Sequence, residues 1–336
     1  MIEGKMQIRR VVFRAAQCVV CEKKEEQYAL KADEVLIENR YTLISPGTER
    51  SYLAHGKPTE AGKSTWPIYP GYAAVGRVIE RGGDVRAYAV GDVVYTNQPH
   101  ASHTVVQETG MIRKVPDGTP WEHVPFVTLA WVGLTAVVVS GLRMGDTVAV
   151  IGQGLVGNLS AQLCRLAGAR RVLAVEPSTH RRAVSQACGL TYGINPDQAD
   201  WVESIRSMTN GRMCGIVVET SGVASVIRQA LKIVAPFGKV VLLGSSFGQT
   251  VELDMYKDVH LTGVSILGAH SNCLNNTPWP AFPDSRTLML EFIAERRLII
   301  PPLITAICPA SQAAEAYKRF DTEKDRVLGM ALDWQA

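Results

Sequence analysis

The first third of the chain alternates short apolar and polar runs in the manner of β-strands. β-Branched residues are concentrated in four stretches that we predict as strands, at residues 7–13, 34–41, 74–79 and 92–95. Gly-Gly-Asp and Val-Gly-Asp sequences follow the third stretch and predict turns. We therefore expect this part of the chain to form a β-rich domain, a partly open barrel.

From Asp146 onward the pattern changes to apolar strand, turn, helix and strand again. Strands are predicted at residues 147–151, 171–175, 215–219, 239–243 and 262–267, and helices at 158–168, 180–188 and 224–234. Such alternation requires a parallel, doubly wound sheet with right-handed crossovers. A later helix at 285–296, with a strand and a helix after it, is expected to return to the first domain.

Length and composition favour two globular domains. A chain of 336 residues, 46% of them hydrophobic, is too long for one ordinary compact domain. We place one domain at residues 1–122 with 271–336, and the other at 123–270. Residues 124–142 carry no charge and approach the length of a membrane span. Two glycines, two threonines and a serine dilute this stretch, so a buried helix is the better prediction.

The charge pattern argues against a nucleic-acid partner, and the cysteines favour a reducing compartment. The formal net charge is only +3, and the basic residues occur in scattered pairs rather than in a stripe. Seven cysteines are spread along the chain, and the opening residues do not resemble a secretory leader. We therefore expect a cytoplasmic protein without a membrane or nucleic-acid partner.

A glycine-rich turn follows the first strand of the parallel sheet. Gly152 would permit the tight turn, Gly154 would let a pyrophosphate approach the backbone, and Gly157 would let helix and strand pack closely. Leu155 and Val156 begin the following helix, whose free N–H groups and partial positive charge attract phosphates. This spacing in this context predicts a dinucleotide site.

An acidic residue about twenty positions later fits the same interpretation. Glu176 ends the next predicted strand, where a carboxylate would accept hydrogen bonds from the adenosine ribose hydroxyls and favour NAD. Arg181 and Arg182 follow closely, so NADP remains an alternative because an arginine there would pair with its 2′-phosphate. Thr220 and Gly244 follow later strands of the sheet and are further candidate nucleotide contacts.

Several segments together make the chain resemble the medium-chain dehydrogenase/reductase superfamily, the alcohol-dehydrogenase-like proteins, over nearly its whole length. They are Ile44-Ser45-Pro46-Gly47-Thr48-Glu49, Tyr69-Pro70-Gly71-Tyr72, Val90 to Val94, Lys114 to Gly118, the glycine turn, and Val217 to Gly222. The resemblance implies an α/β fold with a GroES-like β-rich catalytic domain and a Rossmann domain. It also implies an NAD(P)-dependent oxidoreductase, and the Ser-Pro-Gly-Thr-Glu form is most similar to the bacteriochlorophyllide-dehydrogenase-like branch.

The zinc ligands that this resemblance would imply are missing. The corresponding positions hold Pro46, Tyr72 and approximately Thr128, and none of these residues is a usable zinc ligand at neutral pH. The segment after Tyr95 also lacks the four cysteines of the structural-zinc lobe. We therefore expect a metal-free enzyme.

Without zinc, a hydrogen-bond donor must stabilise the alkoxide that hydride transfer creates. Tyr72 occupies a vacated ligand position and would be that donor, although it would equally serve as an aromatic wall of the pocket. Thr48 matches the hydroxyl that relays protons in zinc members. Glu49 matches an acidic neighbour of the metal site, or else forms a structural ion pair with Arg50 or another arginine.

Histidines are further candidates. His55, His100 and His103 are each more typical of a structural or surface role, although histidine titrates near neutrality. His270 follows the last parallel strand and is the best candidate for assisting catalysis.

Three functions remain open at this level. The first is a zinc-independent alcohol dehydrogenase or ketone reductase acting on a polar metabolite, such as an amino-sugar, a cyclitol or a natural-product intermediate. The second is a quinone- or enoyl-reductase-like enzyme, and the third is a catalytically silent nucleotide-binding protein. The exposed edge of the strand at 262–267 further predicts a homodimer, or a tetramer built from dimers.

Overall fold

The computed structural model describes residues 2–58, 64–246, 249–276 and 284–336. The chain divides into two compact units. The first contains residues 1–128, 286–295 and 303–336, and the second contains residues 129–285 and 296–302.

The helices and strands of the first unit precede and follow those of the second. The chain begins with β1 (Ile2–Ala15), β2 (Cys18–Leu30), β3 (Glu34–Leu43), α1 (Pro46–His55), β4 (Lys57–Pro58), β5 (Ser64–Thr65), β6 (Ala74–Arg81), β7 (Val93–Thr96), β8 (His103–Gln107) and β9 (Ile112–Lys114). It continues with α2 (Phe126–Ser140), β10 (Thr147–Ile151), α3 (Leu155–Leu166), β11 (Arg171–Val175), α4 (Thr179–Ala187), β12 (Tyr192–Ile194), α5 (Trp201–Met208), β13 (Cys214–Glu219), α6 (Val226–Ile233), β14 (Val234–Leu242), β15 (Ser265–Gly268) and α7 (Asn272–Asn276). It closes with α8 (Ser285–Ala294), β16 (Ile304–Pro309), α9 (Ala313–Thr322) and β17 (Gly329–Asp333).

The first unit is built on β-sheet, as its alternating pattern predicts. β1 and β2 form a long antiparallel hairpin, and a seven-stranded sheet runs in the order β16-β17-β3-β6-β7-β9, with β8 also paired to β3. The C-terminal helix α9 packs on this unit through a buried cluster that contains Phe13, Tyr317 and Trp334. The Trp334 indole N–H donates to Thr42 Oγ1 at 2.9 Å, which ties β17 to β3.

The second unit is a doubly wound parallel sheet. Its strand order is β12-β11-β10-β13-β14-β15, and helices connect the strands. β10 and β11 have the bounds that their apolar runs predict. β12 and α5 were not predicted. β12 gives little sequence signal because it is only three residues long and buries only Ile194.

In the second unit, the observed bounds of two strands differ most from the predicted ones. β14 begins at Val234, five residues earlier than expected. β15 begins at Ser265 rather than at Thr262, because Gly263 adopts φ +66° in the preceding turn. β15 is an edge strand that pairs with β14 alone among the described residues, and the homodimer stays a prediction.

The uncharged stretch at 124–142 folds mainly as α2, a helix of 15 residues whose side chains are nearly all buried. Within the described ranges, no helix has the length and apolar character that crossing a bilayer would require.

Candidate active site

The glycine turn lies between β10 and α3 in the second unit. Gly152 adopts φ +91°, which favours glycine because side chains with a Cβ rarely adopt this conformation. Gly157 lies so close to the backbone of β10 that an added Cβ would overlap the Gly152 carbonyl oxygen. Gly154, in contrast, has open space where a Cβ would be. The three glycines thus have different physical roles, as their spacing predicts.

The N-terminus of α3 presents backbone donors. Gly154 is the N-cap residue and has no side chain to accept from the first turn. The first intrahelical bond runs from the Asn158 N–H to the Gly154 carbonyl at 2.9 Å. The N–H groups of Leu155, Val156 and Gly157 therefore have no intrahelical acceptor, and a pyrophosphate would satisfy them.

Glu176 follows β11 directly, and its carboxylate is fixed beside the glycine turn. The side chain is buried, and its Oε2 accepts the Gln153 N–H at 2.8 Å, while Oε1 accepts the Ser178 N–H at 3.0 Å. Each carboxylate oxygen keeps a further lone pair. Glu176 is therefore able to accept a hydrogen bond from a hydroxyl beside the turn.

The two arginines after Glu176 differ in their surroundings. Arg182 Nη1 donates to the carbonyl oxygens of Glu176 at 2.7 Å and Pro177 at 2.6 Å. Arg182 is thus bound to the backbone of the turn that carries Glu176. Arg181 is partly buried in the first turn of α4, where its backbone N–H donates to the N-cap Ser178 Oγ at 3.3 Å.

Thr220 and Gly244 support the turn from neighbouring strands. The Thr220 hydroxyl donates to the carbonyl oxygens of Ile151 at 2.9 Å and Gly152 at 3.0 Å. A Cβ on Gly244 would overlap the Gly222 N atom, so the loops after β13 and β14 lie in close contact. In the structure, Thr220 shapes the glycine turn and Gly244 permits this close approach.

Sequence reasoning missed Glu219, a buried carboxylate at the end of β13. Its Oε1 accepts the N–H groups of Ser221 at 2.6 Å and Gly222 at 3.1 Å, which closes the loop after the strand. Burial raises the pKa of this carboxyl. No sequence pattern distinguishes it from other acidic residues at strand ends.

A polar cluster in the first unit surrounds the N-terminus of α1. Ser45 is the N-cap residue, but its Oγ accepts the Tyr72 phenol at 2.5 Å instead of a helix N–H group. Glu49 reaches back along the helix, and its Oε1 accepts the Ser45 N–H at 2.8 Å. The Thr48 side chain lies close enough to the same phenol to lower its pKa. Tyr72, Thr48 and Glu49, which were predicted separately, therefore belong to one cluster.

Tyr72 is also held through its backbone. The Thr128 hydroxyl donates to the Tyr72 carbonyl oxygen at 3.0 Å, and the Tyr95 hydroxyl lies 2.7 Å from Thr128 Oγ1. Burial, with the negative charge of Glu49 next in importance, raises the pKa of Tyr72 to about 12. The phenol consequently keeps its proton throughout the neutral range.

The predicted arginine partner of Glu49 was wrong. Glu49 Oε2 lies 3.0 Å from His100 Nε2 and also accepts the Tyr317 hydroxyl. Arg50 points elsewhere and forms an ion pair with Asp321. Neither side-chain partner of Glu49 is near it in sequence, so the adjacent Arg50 was a misleading candidate.

His270 lies in the second unit, just beyond the end of β15. Its side chain is exposed, and Nδ1 accepts the Asn272 N–H at 3.2 Å. His103, in the first unit, is partly buried, and its Nδ1 lies 3.0 Å from Ser102 Oγ. His100 is in direct contact with the cluster around Glu49.

Comparison with known proteins finds relatives that are named as dehydrogenases. Residues 156–291 match a family model described as zinc-binding dehydrogenase. The chain is 25% identical over 331 residues to D-guloside 3-dehydrogenase of Escherichia coli K12, covering 91% of this chain and 95% of that protein. It is 28% identical over 317 residues to L-threonine 3-dehydrogenase of Caldanaerobacter subterraneus, covering 86% and 88%.

Solved structures show the same fold. The structure of 2R,3R-butanediol dehydrogenase from Bacillus subtilis matches with a TM-score of 0.82 at 20% identity, covering 97% of this chain and 99% of that one. The chain is thus similar in sequence and fold to dehydrogenases of the medium-chain dehydrogenase/reductase type. These relatives support an oxidoreductase, and the α/β fold is the one that the sequence predicts.

The residues that the sequence resemblance assigns to the catalytic-zinc positions do not fit a zinc ion. Pro46 has no donor atom, the Tyr72 phenol is protonated and bonded to Ser45, and Thr128 already donates to the backbone. Over the described part of the chain, no group of three or more His, Cys, Asp or Glu side chains has the arrangement of a metal site. Zinc prefers thiolate, imidazole and carboxylate ligands, which this position does not supply.

Two alanine substitutions separate the roles of the turn glycines. Gly157→Ala should lower the free energy of unfolding by about 1–3 kcal/mol, because the new methyl group overlaps the Gly152 carbonyl oxygen. Gly154→Ala should cost no more than about 1 kcal/mol as a poorer N-cap, yet weaken NADH binding at least roughly tenfold. Urea unfolding and NADH fluorescence titration measure the two effects. Undiminished NADH binding by Gly154→Ala would contradict a pyrophosphate over this residue.

Proposed function

We propose that this protein is a nicotinamide-dependent dehydrogenase that interconverts an alcohol and a ketone on a polar, hydroxylated metabolite without zinc. The observation that carries the proposal is the buried, protonated Tyr72 phenol, which hydrogen-bonds Ser45. The sequence resemblance assigns the position of Tyr72 to a zinc ligand. A phenol in this position supplies the hydrogen-bond donor that zinc-free carbonyl chemistry needs.

The cofactor site is proposed at the glycine turn. The N–H groups at the start of α3 would bind the pyrophosphate, and Glu176 would accept a ribose hydroxyl. When bound, the nicotinamide supplies or accepts the hydride. The fixed carboxylate of Glu176 would repel a 2′-phosphate, and Arg182 is engaged by backbone carbonyls, so NAD(H) is the preferred form.

Tyr72 would act on the substrate oxygen. In ketone reduction the phenol proton, which Ser45 Oγ accepts in the structure, would turn to the substrate carbonyl oxygen and then pass to the alkoxide that forms. The Ser45 hydroxyl would then donate its own proton to the phenolate, beside which Thr48 also lies. Because the pKa of Tyr72 lies at about 12, the donor form is complete at neutral pH and is lost only as the pH rises toward that value.

The substrate class is supported by the relatives. Their names describe dehydrogenases of a guloside and of an amino acid with a hydroxyl group. Both substrates carry a secondary alcohol among other polar groups. We accordingly propose oxidation or reduction at a CH–OH carbon of a metabolite rich in hydroxyl groups. The bacteriochlorophyllide-like branch stays a prediction from the sequence.

Turnover of a substrate panel tests the function and its independence of zinc. The panel consists of methyl D-guloside, L-threonine and 2R,3R-butanediol with NAD⁺, followed by the absorbance of reduced nicotinamide. We expect turnover of at least one member, unchanged after exhaustive dialysis against a chelator. Activity that a chelator abolishes and zinc restores would contradict a zinc-free reaction. No turnover of any member would favour the catalytically silent alternative.

Tyr72→Phe should lower kcat about 100-fold or more, because the ring remains and only the proton donor is lost. The dissociation constant of NADH should stay unchanged, since the glycine turn is intact. Steady-state kinetics and fluorescence titration measure the two quantities. Tyr41→Phe, which changes a partly buried tyrosine of β3, serves as the control. An unaltered kcat in Tyr72→Phe would assign Tyr72 to the pocket wall.

Glu176→Ala should weaken NADH binding roughly tenfold and NADPH binding less, because it removes both a ribose acceptor and a charge that repels the 2′-phosphate. The ratio of the two dissociation constants should therefore shift toward NADPH. Glu203→Ala on the exposed face of α5 is the matched control. An unchanged ratio would show that Glu176 does not lie beside the ribose.

A further inference from the structure

We propose that Tyr317 and His100 are positioning residues for the reaction, acting through Glu49 on the phenol of Tyr72. The inference rests on the proposed role of Tyr72 as proton donor. Neither residue needs to touch the substrate. Together they would fix a buried carboxylate that in turn fixes the N-terminus of α1, where the phenol is bound.

Glu49 is the centre of this arrangement. Its side chain is 1% exposed, and those of His100 and Tyr317 are equally buried. Oε2 is shared by His100 Nε2 at 3.0 Å and the Tyr317 hydroxyl, while Oε1 accepts the Ser45 N–H at 2.8 Å. A buried carboxylate without such donors would be strongly unfavourable. The three donors therefore hold the carboxylate in one orientation.

The orientation of Glu49 determines what Ser45 does. An N-cap serine ordinarily uses its hydroxyl to accept a backbone N–H of the first turn. Here the Ser45 Oγ accepts the Tyr72 phenol instead, and Glu49 holds the Ser45 backbone in place through its N–H. Loss of the donors to Oε2 would let the carboxylate rotate and release Ser45, and the phenol would lose its fixed acceptor.

His100 has a second contact with the segment that carries Tyr72. Its backbone N–H donates to the Pro70 carbonyl at 2.8 Å, and its ring packs against Gly71. Gly71 adopts φ +95°, and a Cβ there would lie 2.7 Å from His100 Cγ. His100 thus packs on the backbone immediately before Tyr72 while its Nε2 contacts Glu49, so it constrains both ends of the Tyr72–Ser45 pair.

Tyr317 allows a clean test because its hydroxyl and its ring have different partners. The ring packs edge-on against Phe13, with centroids 5.0 Å apart and an interplanar angle of 84°. Tyr317→Phe keeps this contact and removes only the donor to Glu49. Tyr88→Phe is the matched control, because it removes another buried hydroxyl of the same unit, which donates to the Ile112 carbonyl at 2.9 Å.

The test is a double-mutant cycle on kcat, measured with the panel member that has the highest kcat/KM. Tyr317→Phe should lower kcat about tenfold without changing the KM for NAD⁺, and Tyr88→Phe should leave kcat unchanged. In a Tyr72→Phe background, Tyr317→Phe should have no further effect on kcat, because the two residues act in series. An equal loss in both backgrounds would overturn the proposal.

A second pair of variants tests whether His100 acts through the hydrogen bond from its Nε2 or only through the volume of its ring. His100→Gln places an amide N–H near the position of Nε2 and should retain most of the kcat, whereas His100→Leu should lose about tenfold. Equal losses in the two variants would overturn the role of His100. If Tyr72→Phe alone leaves kcat unaltered, the proposed donor fails and this inference with it. If Tyr72→Phe lowers kcat while Tyr317→Phe does not, only the inference fails.

Discussion

The first unit depends on accommodating one carboxylate away from water. Glu49 is buried, and an ionised carboxylate in such a place must receive hydrogen bonds or be strongly destabilising. Its donors come from the backbone at Ser45, from the loop after β7 at His100, and from α9 at Tyr317. Three distant segments of chain therefore meet at a single side chain. The negative charge of Glu49, which these donors stabilise, also raises the pKa of Tyr72.

The second unit depends on a steric constraint rather than a charge. α3 lies so close to β10 that only glycine fits at Gly157, and Thr220 bonds the carbonyl groups of the turn itself. The close approach brings the helix N-terminus to the end of the strand, where a phosphate is attracted by N–H groups. One unit is thus organised around donors for a negative side chain, and the other around donors for a negative ligand.

The sequence was most informative where local pattern and structure coincide. β10 and β11 are short, mainly apolar runs buried on both faces, and their bounds follow directly from the sequence. The long strand β2 has glutamates and lysines along much of its length, so its full extent is not visible as an apolar run. The glycine spacing likewise predicted the geometry of the turn, because that geometry depends on residues close together in sequence.

The candidate site in the first unit was predictable only in part. Thr48, Glu49 and Tyr72 were predicted from short motifs, but the side-chain partners of Glu49 lie 51 and 268 positions away. No local pattern reports such contacts, and the neighbouring Arg50 was a misleading candidate. Long-range hydrogen bonds of buried side chains are decided by the packing of whole elements, which a single sequence does not display.

The division of the chain has a consequence for how the protein is made. The second unit occupies mainly residues 129–285, whereas the first is completed only by residues 303–336, which include Tyr317. During synthesis from the N-terminus, the parallel sheet can form while the Glu49 cluster still lacks one of its donors. Until α9 leaves the ribosome, the Glu49 carboxylate therefore lacks the Tyr317 donor, and hydration of this carboxylate is more favourable than its burial. The order of translation thus favours a parallel-sheet unit that folds early and a Glu49 cluster that assembles last.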